Sequence, residues 1–265
     1  LAGYLYSDSE LLSVTTTPKY VSYDYKKRGQ AMIIFLIFAA ILHLVIVCHL
    51  GWSGLLLLLL SNSLQYFRHE MLHIFASKIC KMNDLSYFEN LKMVYSKRHS
   101  HWFYSLLEIG FNVLRGHVRS PPIFYLPGNW QQDKRYVLGL KYRFIKLLPC
   151  FVDALFAATA ILMLKNPDQV LVALQIAIDT SSVALPNKGQ VAAIAAIILL
   201  GNTRLLANLC PVAGLDGHCL IAPVANCIAA ESYSPDTTPG PGATIFALTS
   251  WSGYWGTFFW SAAQL

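Results

Sequence analysis

The segment Arg68-His69-Glu70-Met71-Leu72-His73 places two histidines four positions apart, with a glutamate directly after the first. On a helix, positions four apart share a face with β-carbons about 5–6 Å apart, so both imidazoles can reach one zinc ion. The glutamate can then meet a zinc-bound water and take its proton. Zinc lowers the pKa of such a water toward about 7, giving a hydroxide nucleophile at neutral pH. The chemistry expected of His69, Glu70 and His73 is therefore metal-assisted hydrolysis, with one Zn2+ per chain and Glu70 as the catalytic base. The plainer reading is the polar end of an amphipathic helix. It is the weaker one, because these residues follow an uncharged run and so lie at membrane depth, where ionisable groups are costly and functional by default.

Two histidines do not complete a zinc site, since a catalytic centre takes a third protein ligand and keeps one position open. The candidates are His43, His49, His99, His101, His117 and His218, together with Asp153, Asp179 and Asp216, which lie in or beside apolar runs. Asp216 stands out by its setting, Asn208-Leu209-Cys210-Pro211-Val212-Ala213-Gly214-Leu215-Asp216-Gly217-His218. Pro211, Gly214 and Gly217 interrupt a helix there, and a broken helix at membrane depth is tolerated where it lines a site or is covered by protein. Asp153 and Asp179 read instead as helix-packing or pore-facing carboxylates.

The elements that must position these residues are membrane helices. Of 265 residues, 55% are hydrophobic and only 13% charged, and the mean hydropathy is +0.46. A soluble domain carries about 25% charge, so the composition excludes a disordered chain, a coiled coil and a soluble enzyme. Six cysteines without a C-x-x-C pair form neither a disulfide framework nor a zinc ribbon. The expected fold is all-α, a polytopic, multi-pass integral membrane protein of about five to six transmembrane helices, one of them broken and carrying the Asp-Gly motif. Residues 1–29 flank the membrane, 30–231 form the embedded core with a basic interfacial loop at about 81–146, and 232–265 hold a Pro/Gly linker and a possible final span. From Gln30 to Phe67 no residue is charged. That is too long for one span of about 20 residues, so Gly51-Trp52-Ser53-Gly54 should break a hairpin of Ala31–Leu50 and a second helix from about Leu55. Further apolar runs are Leu147–Leu164, Val170–Leu185 and Val191–Leu200, the last too short to span unaided. The net charge of +6 does not point to nucleic acid. Lys26-Lys27-Arg28 precedes the first run and the Lys78–Lys146 stretch follows the hairpin, as the positive-inside rule requires of two cytoplasmic segments. Those charges fit anionic lipid.

H-E-x-x-H on a membrane helix, followed far downstream by Asn208-x-x-Pro211 and Leu215-Asp216-Gly217, resembles the site-2 protease family of intramembrane zinc metalloproteases. The resemblance implies that His69, His73 and Asp216 bind zinc and that Glu70 is the general base. It further implies that Asn208 lies near the bound substrate backbone and that Pro211 bends the substrate-side segment. Ala76 and Lys78 fit the small-then-basic pattern of the same helix. The implied substrate is a transmembrane or membrane-associated peptide. Two positions depart from the pattern: Leu72 stands where the family has glycine, and His218 follows Asp216-Gly217. They leave open an inactive, protease-like metal-binding membrane protein. A rival class is the membrane di-iron desaturases and hydroxylases, whose second histidine box the stretch Tyr95-Ser-Lys-Arg-His99-Ser-His101 resembles. That class needs about eight histidines in boxes, and no third box appears before Leu265.

Overall fold

The computed structural model describes residues 25–96, 101–115, 135–177, 184–209 and 216–221, and every regular element among them is helical. Helix α1 covers Tyr25–Ile79, and its helical geometry breaks at Gly51, with φ 58° and ψ −146°. Glycine takes this left-handed φ without the clash that a β-carbon would bring. A β-carbon on Gly54 would lie 2.8 Å from Ile46 Cγ2 and 3.1 Å from the Ile46 carbonyl oxygen. Eight positions of a continuous helix rise about 12 Å, so the chain folds back here and α1 is two arms joined at the kink.

Helix α2, Tyr87–Tyr95, opens with a capping box: Glu89 N–H donates to Ser86 Oγ, and Ser86 N–H donates to Glu89 Oε2 at 2.7 Å. Helix α3 covers Trp102–Arg115, α4 Arg135–Lys165, α5 Pro167–Ala177 and α6 Lys188–Leu206. A 3-10 turn, Ala207–Leu209, follows α6, and a single helical turn, α7, covers His218–Ile221.

The core lies where α1, α4 and α6 meet. Ala39, Leu42, Ile46 and Leu58 pack with Ala157 and Ala160 of α4 and with Ala196, Ile197, Leu199 and Leu200 of α6. Small residues at such contacts let helix backbones approach closely. Outside this seam large apolar side chains face outward, among them Ile41, Leu44, Leu57 and Leu64 of α1 and Phe151, Leu155 and Leu162 of α4. Three helices among the described residues are long and apolar enough to cross a membrane, over Ile37–Ile79, Gly139–Lys165 and Lys188–Leu206.

Two helix boundaries differ from the hydropathy reading, each for a visible reason. The run Val191–Leu200 is not too short to span: α6 has 19 residues because Gly201, Asn202, Arg204 and Leu205 continue it as buried positions. Helix α4 starts at Arg135, well before the apolar run at Leu147. The stretch expected as a basic interfacial loop at about 81–146 thus contains α2, α3 and the first turns of α4, and it carries Lys146 into the interior, where it is buried. The described part of the run Val170–Leu185, through Ala177, lies in α5, whose 11 residues include none that is buried. The N-terminal flank before Tyr25, the Pro/Gly linker and the possible final span lie outside the described residues.

Candidate metal centre

His69, Glu70 and His73 sit on the second arm of α1, and all three are buried. Helical spacing sets the two imidazole rings 4.9 Å apart, nearly perpendicular. Asp216 reaches them from the turn that precedes α7. That turn is fixed to the end of α6, because Gly217 N–H donates to the Asn208 carbonyl at 2.8 Å. Asp216 Oδ2 lies 3.2 Å from His69 Nε2 and 3.3 Å from His73 Nε2. Ligand atoms at about 2.0–2.1 Å from a tetrahedral zinc stand about 3.3 Å from one another, so both separations match edges of such a tetrahedron.

The hydrogens on the rings decide what these atoms can do. His73 Nδ1 lies 2.9 Å from the Ile145 carbonyl. A carbonyl only accepts, so Nδ1 carries the hydrogen and the neutral ring presents a lone pair at Nε2. That carbonyl is available for a local reason: its intrahelical donor would be the N–H of residue 149, which is Pro149 and has none. His69 Nδ1 likewise donates to Asp153 Oδ2 at 2.7 Å, which turns the Nε2 lone pair toward Asp216. With both rings neutral, the Nε2 lone pairs of His69 and His73 each face Asp216 Oδ2, a meeting of acceptors that a cation satisfies. Asn208 Nδ2 lies 3.4 Å from His69 Nε2, at the edge of the same site.

Asp153 and Asp216 each also face a fixed cation. Arg68 donates to Asp153 Oδ1 and to Asn202 Oδ1, the latter at 2.7 Å, while its guanidinium lies 4.2 Å from the Phe156 ring centre. Lys146 Nζ donates to Asp216 Oδ1 at 3.2 Å, leaving Oδ2 as the oxygen that faces the histidines. Glu70 lies within electrostatic reach of His73, His69, Asp216 and Lys146. Its Oε2 is buried and has no hydrogen-bond partner among the described residues. An ionised carboxylate oxygen so placed is costly unless something fills the space before it. The donor set and this orphaned oxygen both suit a metal with its water.

Among the other sequence candidates, His43 is buried in the first arm of α1 and donates from Nδ1 to the Ala39 carbonyl at 2.7 Å. His49 is exposed and abuts Gly189 of α6, and His101 is exposed ahead of α3. His218 contributes its backbone to α7. His99, His117, Asp179 and Pro211 lie outside the described residues. Asp153, read as a helix-packing or pore-facing carboxylate, is buried between α4 and α1, where it holds His69 and Arg68. Lys146 and Cys150 were not expected at the site. The residues 146, 150 and 153 share one face of α4, at intervals of four and three, and that spacing is the signal that would have found them. Comparison of the chain with protein-family models, curated proteins and solved structures gives no match.

Proposed function

We propose that the chain is a zinc-dependent intramembrane endopeptidase, a multi-pass membrane protein of about five to six spans, acting on transmembrane or membrane-associated peptides. The observation that carries the reading is the approach of His69 Nε2 and His73 Nε2 to Asp216 Oδ2, at 3.2 and 3.3 Å, with the buried, unpartnered carboxylate oxygen of Glu70 within electrostatic reach of all three. Zinc held by these ligands supplies Lewis acidity toward water and toward the scissile carbonyl. Glu70 takes the proton of the attacking water and returns it to the leaving amine, the two halves of general acid–base catalysis. Asp153 and the Ile145 carbonyl hold the imidazoles in the metal-binding tautomer, and Lys146 holds the outer oxygen of Asp216. Asn208, at the edge of His69, is positioned to meet the substrate backbone.

A helical substrate hides its carbonyls in its own hydrogen bonds, so the peptide must unwind before it reaches Glu70. Lipid contact is supported by α3, whose Trp102, Phe103, Leu107 and Phe111 face outward while Ser105, Ile109 and Asn112 are buried. An amphipathic helix of this kind suits the membrane interface. The test is elemental analysis of the detergent-purified chain, together with hydrolysis of a membrane peptide by the parent and by Glu70→Gln. One zinc per chain, with hydrolysis reduced about 10²–10⁴-fold in the zinc-loaded variant, is the expected result. Two irons per chain would establish the di-iron class. Zinc without hydrolysis by the parent would establish an inactive relative, with Leu72 the first position to replace by glycine.

A further inference from the structure

The site contains one more metal-binding group than a hydrolase needs. Cys150, on α4, is buried with 1% of its surface exposed. Its Sγ donates to Asp216 Oδ2 at 3.8 Å, the same oxygen that faces both imidazoles. The ligand atoms of His69, Cys150 and Asp216 all lie within 4.8 Å of one another; His73 is outside that group of three and joins the site through Asp216 Oδ2 at 3.3 Å. We infer that Cys150 is the fourth ligand of the metal, so that the site rests closed and admits water only when the sulfur withdraws. The inference rests on the zinc reading above and adds to it the state in which the enzyme waits.

Geometry is the first support. Zinc–sulfur bonds are about 2.3 Å and zinc–oxygen bonds about 2.0–2.2 Å. Across a tetrahedral angle they put sulfur and oxygen about 3.6 Å apart, close to the 3.8 Å observed. Position is the second. Cys150 lies between Lys146 and Asp153 on one face of α4, and both of those side chains are tied into the site, to Asp216 and to His69. The helix therefore cannot turn its thiol elsewhere without breaking two buried contacts. Charge is the third. Arg68 already offsets Asp153, and Lys146 already offsets Asp216, so a dication adds two charges that these contacts leave for Glu70 and Cys150 to offset. The balance is simple: as the metal–sulfur bond forms, the thiol proton leaves to solvent, and the metal keeps its oxidation state. Sets of four protein ligands characterise closed zinc sites, whereas hydrolytic ones keep a position for water. Release of Cys150 creates that position.

Cobalt(II) loaded into the purified full chain reads the ligand directly. The parent should bind one cobalt per chain and show both the visible bands of a tetrahedral ion and a near-ultraviolet sulfur-to-cobalt charge-transfer band. Cys150→Ser should keep the cobalt and the visible bands and lose the charge-transfer band. Cobalt bound by the parent without that band, or a band that survives in Cys150→Ser, overturns the inference and leaves the metal site standing. A parent that binds no cobalt and no zinc overturns both. Zinc-loaded Cys150→Ala should hydrolyse a membrane peptide several-fold faster than the parent. An equal or slower rate at full zinc occupancy would show that the sulfur does not hold the water position.

Discussion

Replacing Asp153 by Asn tests whether a buried carboxylate sets the tautomer of His69. Asp153 is fully buried; one oxygen accepts the His69 Nδ1 hydrogen at 2.7 Å and the other faces Arg68. Asparagine keeps the shape but turns one acceptor into a donor. If its oxygen stays on Arg68, its N–H2 faces His69 Nδ1, and the ring hydrogen moves to Nε2, where it points at the metal. If the amide flips, the guanidinium meets another donor. One contact is lost either way. Loss of such an outer partner weakens metal binding about 10–100-fold, or roughly 1.4–2.7 kcal/mol.

The fold should lose less than the roughly 3–5 kcal/mol of a fully buried ion pair. The Arg68 side chain is 24% exposed, and it keeps Asn202 and the Phe156 ring. About 1–3 kcal/mol is the expected cost, the range for a buried polar group left without its partner. A competitive chelator titration gives the affinity, and thermal unfolding in detergent gives the stability. Arg68→Gln is the control: it should lower stability while changing zinc affinity less, because Asp153 still accepts from His69. Zinc affinity equal to the parent's in a folded Asp153→Asn protein would refute the tautomer argument.

Pro149→Ala should move the two quantities in opposite directions. The alanine brings an N–H that can bond the Ile145 carbonyl and raises helix stability by up to about 3 kcal/mol, while His73 must share its acceptor and zinc affinity falls; a chelator titration and a melt read the two. Asp216→Asn should abolish zinc binding, and because it also breaks the buried pair with Lys146 it should lower the stability of the metal-free protein by up to about 3–5 kcal/mol; a variant with unchanged metal content would end the metal reading. The capping box of α2 should respond to acid. The Ser86 hydroxyl and backbone N–H hold Glu89 below its ordinary 4.5. A carboxylate depressed in this way stabilises the folded form above its unfolded pKa and loses that contribution as pH falls through the lowered value. Amide protection at residues 86–96, taken relative to the intrinsic exchange rate at each pH, should therefore fall in that acid window in the parent, and Ser86→Ala should already show the lower protection at neutral pH.

Helices were legible wherever the chain is uniformly apolar, and their ends were not. The break at Gly51 could be read from two glycines in a run too long for one span. The true extent of α6 could not, because Asn202 and Arg204 are polar residues that end the apolar run and yet are buried. Hydropathy scores each residue against lipid, whereas these two are solvated by protein: Asn202 takes a hydrogen bond from Arg68 of α1. The same blindness placed Lys146 at the interface. It stands one residue before an apolar run and has a basic neighbourhood, so a count of charges assigns it to the surface.

The candidate site divides along similar lines. His69, Glu70 and His73 are adjacent in sequence and declare themselves by spacing alone. Asp216 was legible through the Pro and Gly residues around it and through a family resemblance. The residues that govern the histidine lone pairs have no such local signature. Asp153 meets His69 across 84 positions and Lys146 meets Asp216 across 70, distances over which a single sequence gives no pairing. What the chain does encode locally is the face of α4 that makes those pairings possible: a lysine, a cysteine and an aspartate at helical intervals, with a proline that frees a backbone acceptor for the second imidazole. A single helix thus supplies groups that orient both histidines, the cation that holds the outer oxygen of Asp216 and the sulfur proposed as a further ligand. The H-E-x-x-H helix brings the chemistry, and α4 determines which form of it can occur.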